Sequence, residues 1–151
     1  MNILLMTTSM KQPDDRDASK TDVVFYFAQE WAKAGHRVVV IHNEAKFPYI
    51  LYKLPMSIYK KAFGTRSVNL PSVASRKKLR RQQDGVEILR LPMRKFIPHS
   101  SYAEFQYKSQ IKKVKAFLND IDFKPDVITG HWFEPQLRMI HDLGKFYSAK
   151  T

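Results

Sequence analysis

The chain has 151 residues, 44% of them hydrophobic, and a formal net charge of +12 from 26 Lys and Arg against 14 acids. That length and apolar content suit one globular domain with a real core and exclude a disordered chain, and the absence of cysteine removes disulfide frameworks, thiolate metal sites and cysteine nucleophiles. The charge calls for an anionic partner such as a polyanion, an anionic membrane or a phosphorylated ligand.

No apolar run approaches the roughly 18 residues of a membrane span, and the N-terminal apolar stretch is too short for a signal peptide. The expected location is therefore cytoplasmic.

In chain order, Asn2-Ile-Leu-Leu-Met6 reads as a buried strand, and Thr7 to Lys20 as a loop rich in Asp, Ser and Pro. Thr21 is a plausible N-cap, after which Val24, Phe27, Ala28 and Trp31 recur at helical spacing until Gly35. His36 to His42 forms a second buried strand, and the short turn before it implies a parallel crossover. Residues 44–84 differ in kind. Between Ala45 and Gln83 lie ten Lys or Arg and no acid, and short helices are expected over Tyr49–Tyr59 and Ser75–Gln82.

Val86 to Leu91 alternates enough for a third strand. Ser101-Tyr-Ala-Glu104 has the form of a capping box, and Tyr107, Ile111, Val114 and Leu118 make one stripe of a long helix. Asp126 to Thr129 is a fourth strand that runs out into Gly130, His131, Trp132, Phe133 and Glu134. A helix follows from Pro135 to Leu143, stopped at Gly144, with Lys145 to Thr151 leading away. Alternating strands and helices define an α/β fold, a Rossmann-like doubly wound parallel sheet (three-layer α/β/α) in the order 3-2-1-4. His131 then lies at the carboxyl end of the fourth strand, where open α/β sheets bind ligands.

Several chemistries lack their residues. There is no G-x-G-x-x-G or G-x-x-x-x-G-K-[ST] loop, no G-x-S-x-G elbow and no H-E-x-x-H pair, so nothing points to a dinucleotide, a Walker-type loop, a common hydrolase or a metal.

The segments Asn2-Ile-Leu-Leu-Met-Thr-Thr8, Ala32-Lys-Ala-Gly-His-Arg-Val-Val-Val-Ile41 and Lys124-Pro-Asp-Val-Ile-Thr-Gly-His-Trp132, in this order, resemble the N-terminal domain of the large family-4-like group of retaining GT-B glycosyltransferases. The resemblance spans nearly the whole chain and makes residues 1–151 an acceptor-side domain with a basic insertion at about 44–84. It implies a separate donor-binding domain, absent from this chain, that holds a nucleotide-diphosphate sugar, and metal-independent transfer in the cleft between them. No other cofactor is implied.

His131 falls on the family's strand-end histidine, which faces the transferred sugar. The loop before the first helix is where the family carries a glycine pair. Here it reads Asp17-Ala-Ser-Lys-Thr21, so Ser19, Lys20, Thr21 and the helix N-terminus are the candidates for phosphate or acceptor contacts. Trp132 offers a ring to a saccharide face or to the core, and Glu134 a carboxylate to sugar hydroxyls or to the helix dipole. Lys60, Lys61, Arg76, Lys77, Lys78, Arg80 and Arg81, interspersed with apolar residues, suit either a solvated loop or a segment on the anionic inner face of the cell membrane, which fits a lipid-linked acceptor. Nucleic acid is disfavoured, since the charge is confined to one insertion without a binding motif. The alternative reading is a non-catalytic Rossmann-like module for an anionic polymer or surface.

Overall fold

The computed structural model describes residues 1–11, 22–55, 57–58, 61, 77–96, 100–131 and 134–151. Its elements are β1 (Asn2–Thr7), α1 (Val23–Lys33), β2 (Arg37–Lys46), α2 (Tyr49–Lys53), β3 (Leu79–Gln83), β4 (Val86–Arg94), α3 (Glu104–Asp120), β5 (Val127–His131) and α4 (Gln136–Tyr147). They form an α/β fold around one five-stranded sheet ordered β3-β4-β2-β1-β5. β4, β2, β1 and β5 are parallel, in the order expected for four strands; β3 adds an antiparallel edge.

Alternate strand residues feed two cores, as a period of two requires. Ile3, Leu5, Val38, Val40, Val86 and Ile88 pack under α1 with Val24, Phe25 and Ala28. Leu4, Met6, Val39, Ile41, Leu89, Leu91 and Ile128 pack under α3 and α4 with Val114, Leu118, Met139 and Leu143. Helices therefore cover both faces.

Several expectations are corrected. Residues 79–82, expected within a short helix, belong with Gln83 to strand β3. Asp84 and Gly85 both have positive φ (49° and 77°), which makes a tight two-residue hairpin turn and folds the Arg-Gln segment onto β4. β2 does not end at His42 but continues to Lys46, because β4 runs alongside it to Arg94. Pro92 is tolerated there, since β3 stops opposite Arg90 and no strand among the described residues pairs with β4 beyond it on that side.

On α1, Phe25 rather than Phe27 is buried; Phe27 is 57% exposed and stacks on Trp31. The long helix starts at Glu104, with Ala103 rather than Ser101 at its N-cap. Gln106 Oε1 accepts from the Ala103 N–H at 2.6 Å, and alanine has no side-chain acceptor to complete the reciprocal half of a box.

Gly144 lies inside α4, whose left-handed C-cap is Ser148. A Cβ on Gly144 would come within 2.4 Å of Thr151 Cγ2, so its absence makes room for the chain to fold back. Instead of leading away, Lys150 pairs with the free edge of β5, its carbonyl accepting from the Ile128 N–H at 2.8 Å. Among the described residues, no helix is long and apolar enough to cross a membrane.

Candidate site at the carboxyl edge of the sheet

Strand register aligns four polar residues across the sheet. Thr7 pairs with His131 on one side and His42 on the other, and His42 pairs with Arg90. Residues in register share a face, here the α1 face. Thr7, His42 and Arg90 are buried and His131 is half-buried. With strands about 4.8 Å apart, this row extends about 14 Å along the sheet.

His131 Nδ1 lies 3.5 Å from Thr7 Oγ1, which orients the ring more than it stabilises it. The Thr7 hydroxyl also donates to the Ser9 carbonyl at 3.2 Å and accepts from the Ser9 N–H at 3.0 Å. Whether the Thr7 oxygen accepts from Nδ1 or donates to it follows the imidazole tautomer.

The exit of β1 is clamped from both sides. His42 Nε2 sits 3.2 Å from the Thr8 carbonyl and 4.0 Å from the Glu44 carboxylate, with His42 and Glu44 both buried. Gln136, its amide oriented to satisfy its neighbours, accepts from the Thr8 N–H at 2.6 Å and donates to the Glu134 carbonyl at 3.1 Å. Gly130 brings the strand end close to α4, where a Cβ would sit 3.3 Å from Gln136 Cβ and 2.4 Å from the end of Ile140. On the other face, Gln110 Nε2 donates to Asn43 Oδ1 (3.0 Å) and to the Leu91 carbonyl (2.9 Å).

Beside the β5 end, Tyr102, Tyr107, Glu134, Pro135, Leu137 and Arg138 line a cleft of about 250 Å³. α3 and α4 both begin at this edge because each follows a parallel strand that ends there. Burial pushes the Tyr102 hydroxyl well above the usual phenol range, with Tyr107 and Glu134 adding to it. Burial also raises Tyr107, as do the Glu134 charge and a hydrogen bond to that carboxylate, against the Arg138 guanidinium. Arg138 lies over the Tyr107 ring at 4.8 Å and pairs with Glu104. Lys95 lies over the Tyr102 ring at 4.9 Å; burial lowers its pKa and Glu134 opposes that. Aromatic walls with an exposed carboxylate suit a polyhydroxylated ring, apolar on its faces and hydrogen-bonding at its rim.

Of the residues singled out in the sequence, His131 and Glu134 are brought to this edge. Ser19, Lys20, Thr21, Trp132, Lys60 and Arg76 lie outside the described residues. Lys61, Lys77 and Lys78 are exposed. Arg80 is held by Glu87 (2.6 Å) and Asp120 (3.3 Å) and lies over Phe117, while half-buried Arg81 donates to Gln83. These two belong to an edge strand, where charged side chains deter edge-to-edge pairing.

Sequence reasoning missed Thr7, Arg90, Tyr102, Tyr107, Arg138 and Gln136. Arg90, a lone charge in the apolar run Ile88 to Leu91, was the one with a readable signal. Among the described residues no cluster of His, Asp and Glu could hold a metal. Comparison with protein-family models, curated proteins and solved structures finds no match.

Proposed function

We propose that this chain is the acceptor-side, Rossmann-like, doubly wound half of a glycosyltransferase that moves a sugar from a nucleotide-sugar donor to a saccharide or lipid-linked acceptor. The observation that carries the reading is the place of His131. It ends the outer parallel strand beside β1, where the strand order reverses direction, and its ring meets Thr7. Open α/β sheets take their ligands at that position.

In this reading the imidazole stands at the reaction centre, oriented through Nδ1 by Thr7, and steadies charge that develops on the transferred sugar. Glu134 and the tyrosine-lined cleft receive acceptor hydroxyls, and the clamped Thr8 peptide fixes the chain where it leaves β1. The donor is held by the opposing domain that the sequence resemblance implies.

The test is transfer of labelled sugar from nucleotide-sugar donors by the full-length enzyme. His131→Ala should lower turnover by about 100-fold, the scale of losing one preorganised charge-stabilising group, with the melting temperature unchanged. Unaltered turnover, or a loss that follows stability alone, overturns the assignment.

A further inference from the structure

Arg94 at the end of β4 and Lys113 of α3 line one cleft, and Lys46 of β2 stands next to Arg94 in the sheet. Lys46 and Arg94 are partners at the last pair of the β2–β4 ladder, which the Lys95 N–H prolongs by bonding the Lys46 carbonyl at 3.0 Å. Lys113 comes from the middle of α3. Beside them a cleft of about 390 Å³ is lined by Arg94, Lys113, Ser109, Gln106 and the exposed ring of Phe105, among others. Its walls are fixed: Gln106 and Gln110, one turn apart, donate to the carbonyls of Arg94 and Leu91.

None of the three cations meets a carboxylate within ion-pair distance among the described residues. Partial burial lowers the pKa of Lys113, and the charges of Arg94 and Lys46 lower it further. Like charges gathered without a counter-ion among the described residues oppose folding, and such local conflicts mark functional sites.

The chemistry selects the anion. A carboxylate brings one charge, whereas a phosphoryl monoester carries about −1.5 to −2 with three strong acceptor oxygens, a closer match to the two cations that line the cleft. We propose that this cleft binds a phosphoryl group, with Arg94 as a two-pronged donor, Lys113 as a point charge and Ser109 as a hydroxyl donor, Lys46 adding positive charge from outside the cleft. Phe105 offers a ring to whatever carries the phosphate. The binding stands by itself. Its use rests on the proposed transferase, whose acceptor becomes a phosphorylated saccharide or lipid.

Titration of the full chain with inorganic phosphate and glycerol phosphate, and co-sedimentation with phosphatidylcholine vesicles with and without phosphatidic acid, separate the two sources. Binding of the small phosphates alone assigns a soluble ligand, and Arg94-dependent binding to the acidic vesicles assigns a lipid headgroup. Arg94→Gln and Lys113→Gln should each weaken binding about tenfold, as the loss of a charge-assisted hydrogen bond implies. Lys124→Gln, the same charge change at the opposite edge of the sheet, should leave it unaltered.

Absence of binding to every probe overturns the proposal, as does equal weakening by all three substitutions, which would report only net charge. Transfer that depends on His131 without phosphate binding removes this site and keeps the proposed function. Phosphate binding without transfer does the reverse.

Discussion

Gln110 is the joint between α3 and the extended end of β2, and replacing it tests whether the carboxyl edge is held by buried polar contacts. The side chain is buried, at 1% exposure, and its amide donates to both Asn43 Oδ1 and the Leu91 carbonyl. Gln110→Met keeps the length and most of the volume, so packing loss is small. Two buried acceptors lose a donor, each at about 1–3 kcal/mol, which sums to roughly 2–6 kcal/mol.

For a domain of this size, a loss of about 3 kcal/mol lowers the melting temperature by about 6–12 °C. Urea unfolding followed by far-UV circular dichroism measures it. Because Asn43 is one of the two acceptors, Asn43→Ala combined with Gln110→Met should cost less than the sum of the single changes, by about 0.5–3 kcal/mol of coupling. A single-variant loss below about 1 kcal/mol, or strict additivity in the pair, refutes the account.

The two faces of α1 give a second check: Phe25→Ala should cost about 3–5 kcal/mol, whereas Phe27→Ala, at an exposed position, should stay within about 1 kcal/mol. A third uses alkaline pH. The Tyr102 pKa is raised in the folded state, so between the unfolded phenol value of about 10 and that raised value the folded chain binds more protons than the unfolded one, and stability falls as pH rises. This contribution is fully present below about pH 10, and Tyr102→Phe should flatten the decline above it when unfolding is measured as a function of pH. An unchanged slope would show that the hydroxyl ionises alike in both states.

Much of the architecture was legible from local pattern. The apolar runs of β1, β2 and β5 and the stripe of Tyr107, Val114 and Leu118 announce their elements because burial imposes a period of two on strands and about 3.6 on helices. The parallel order followed from short helix-to-strand turns, and with it the position of His131. β3 was misread because Leu-Arg-Arg-Gln-Gln is rich in good helix formers. What overrides that propensity is pairing with β4 across the Asp84-Gly85 turn, a dipeptide whose hairpin preference was there to be read.

His42-Asn-Glu-Ala-Lys46 has the polarity of a loop, and only the neighbouring strand makes it sheet. The same limit governs the site. The sequence by itself determined which residues alternate toward each face of a strand and that His131 ends one, since these depend on near neighbours along the chain. Only the tertiary structure decided that Thr7, His42 and Arg90 stand in line with it, and that Arg94 and Lys113 share a cleft. Register and helix docking join residues dozens of positions apart, and shifting a strand by one residue would turn every side chain to the opposite face.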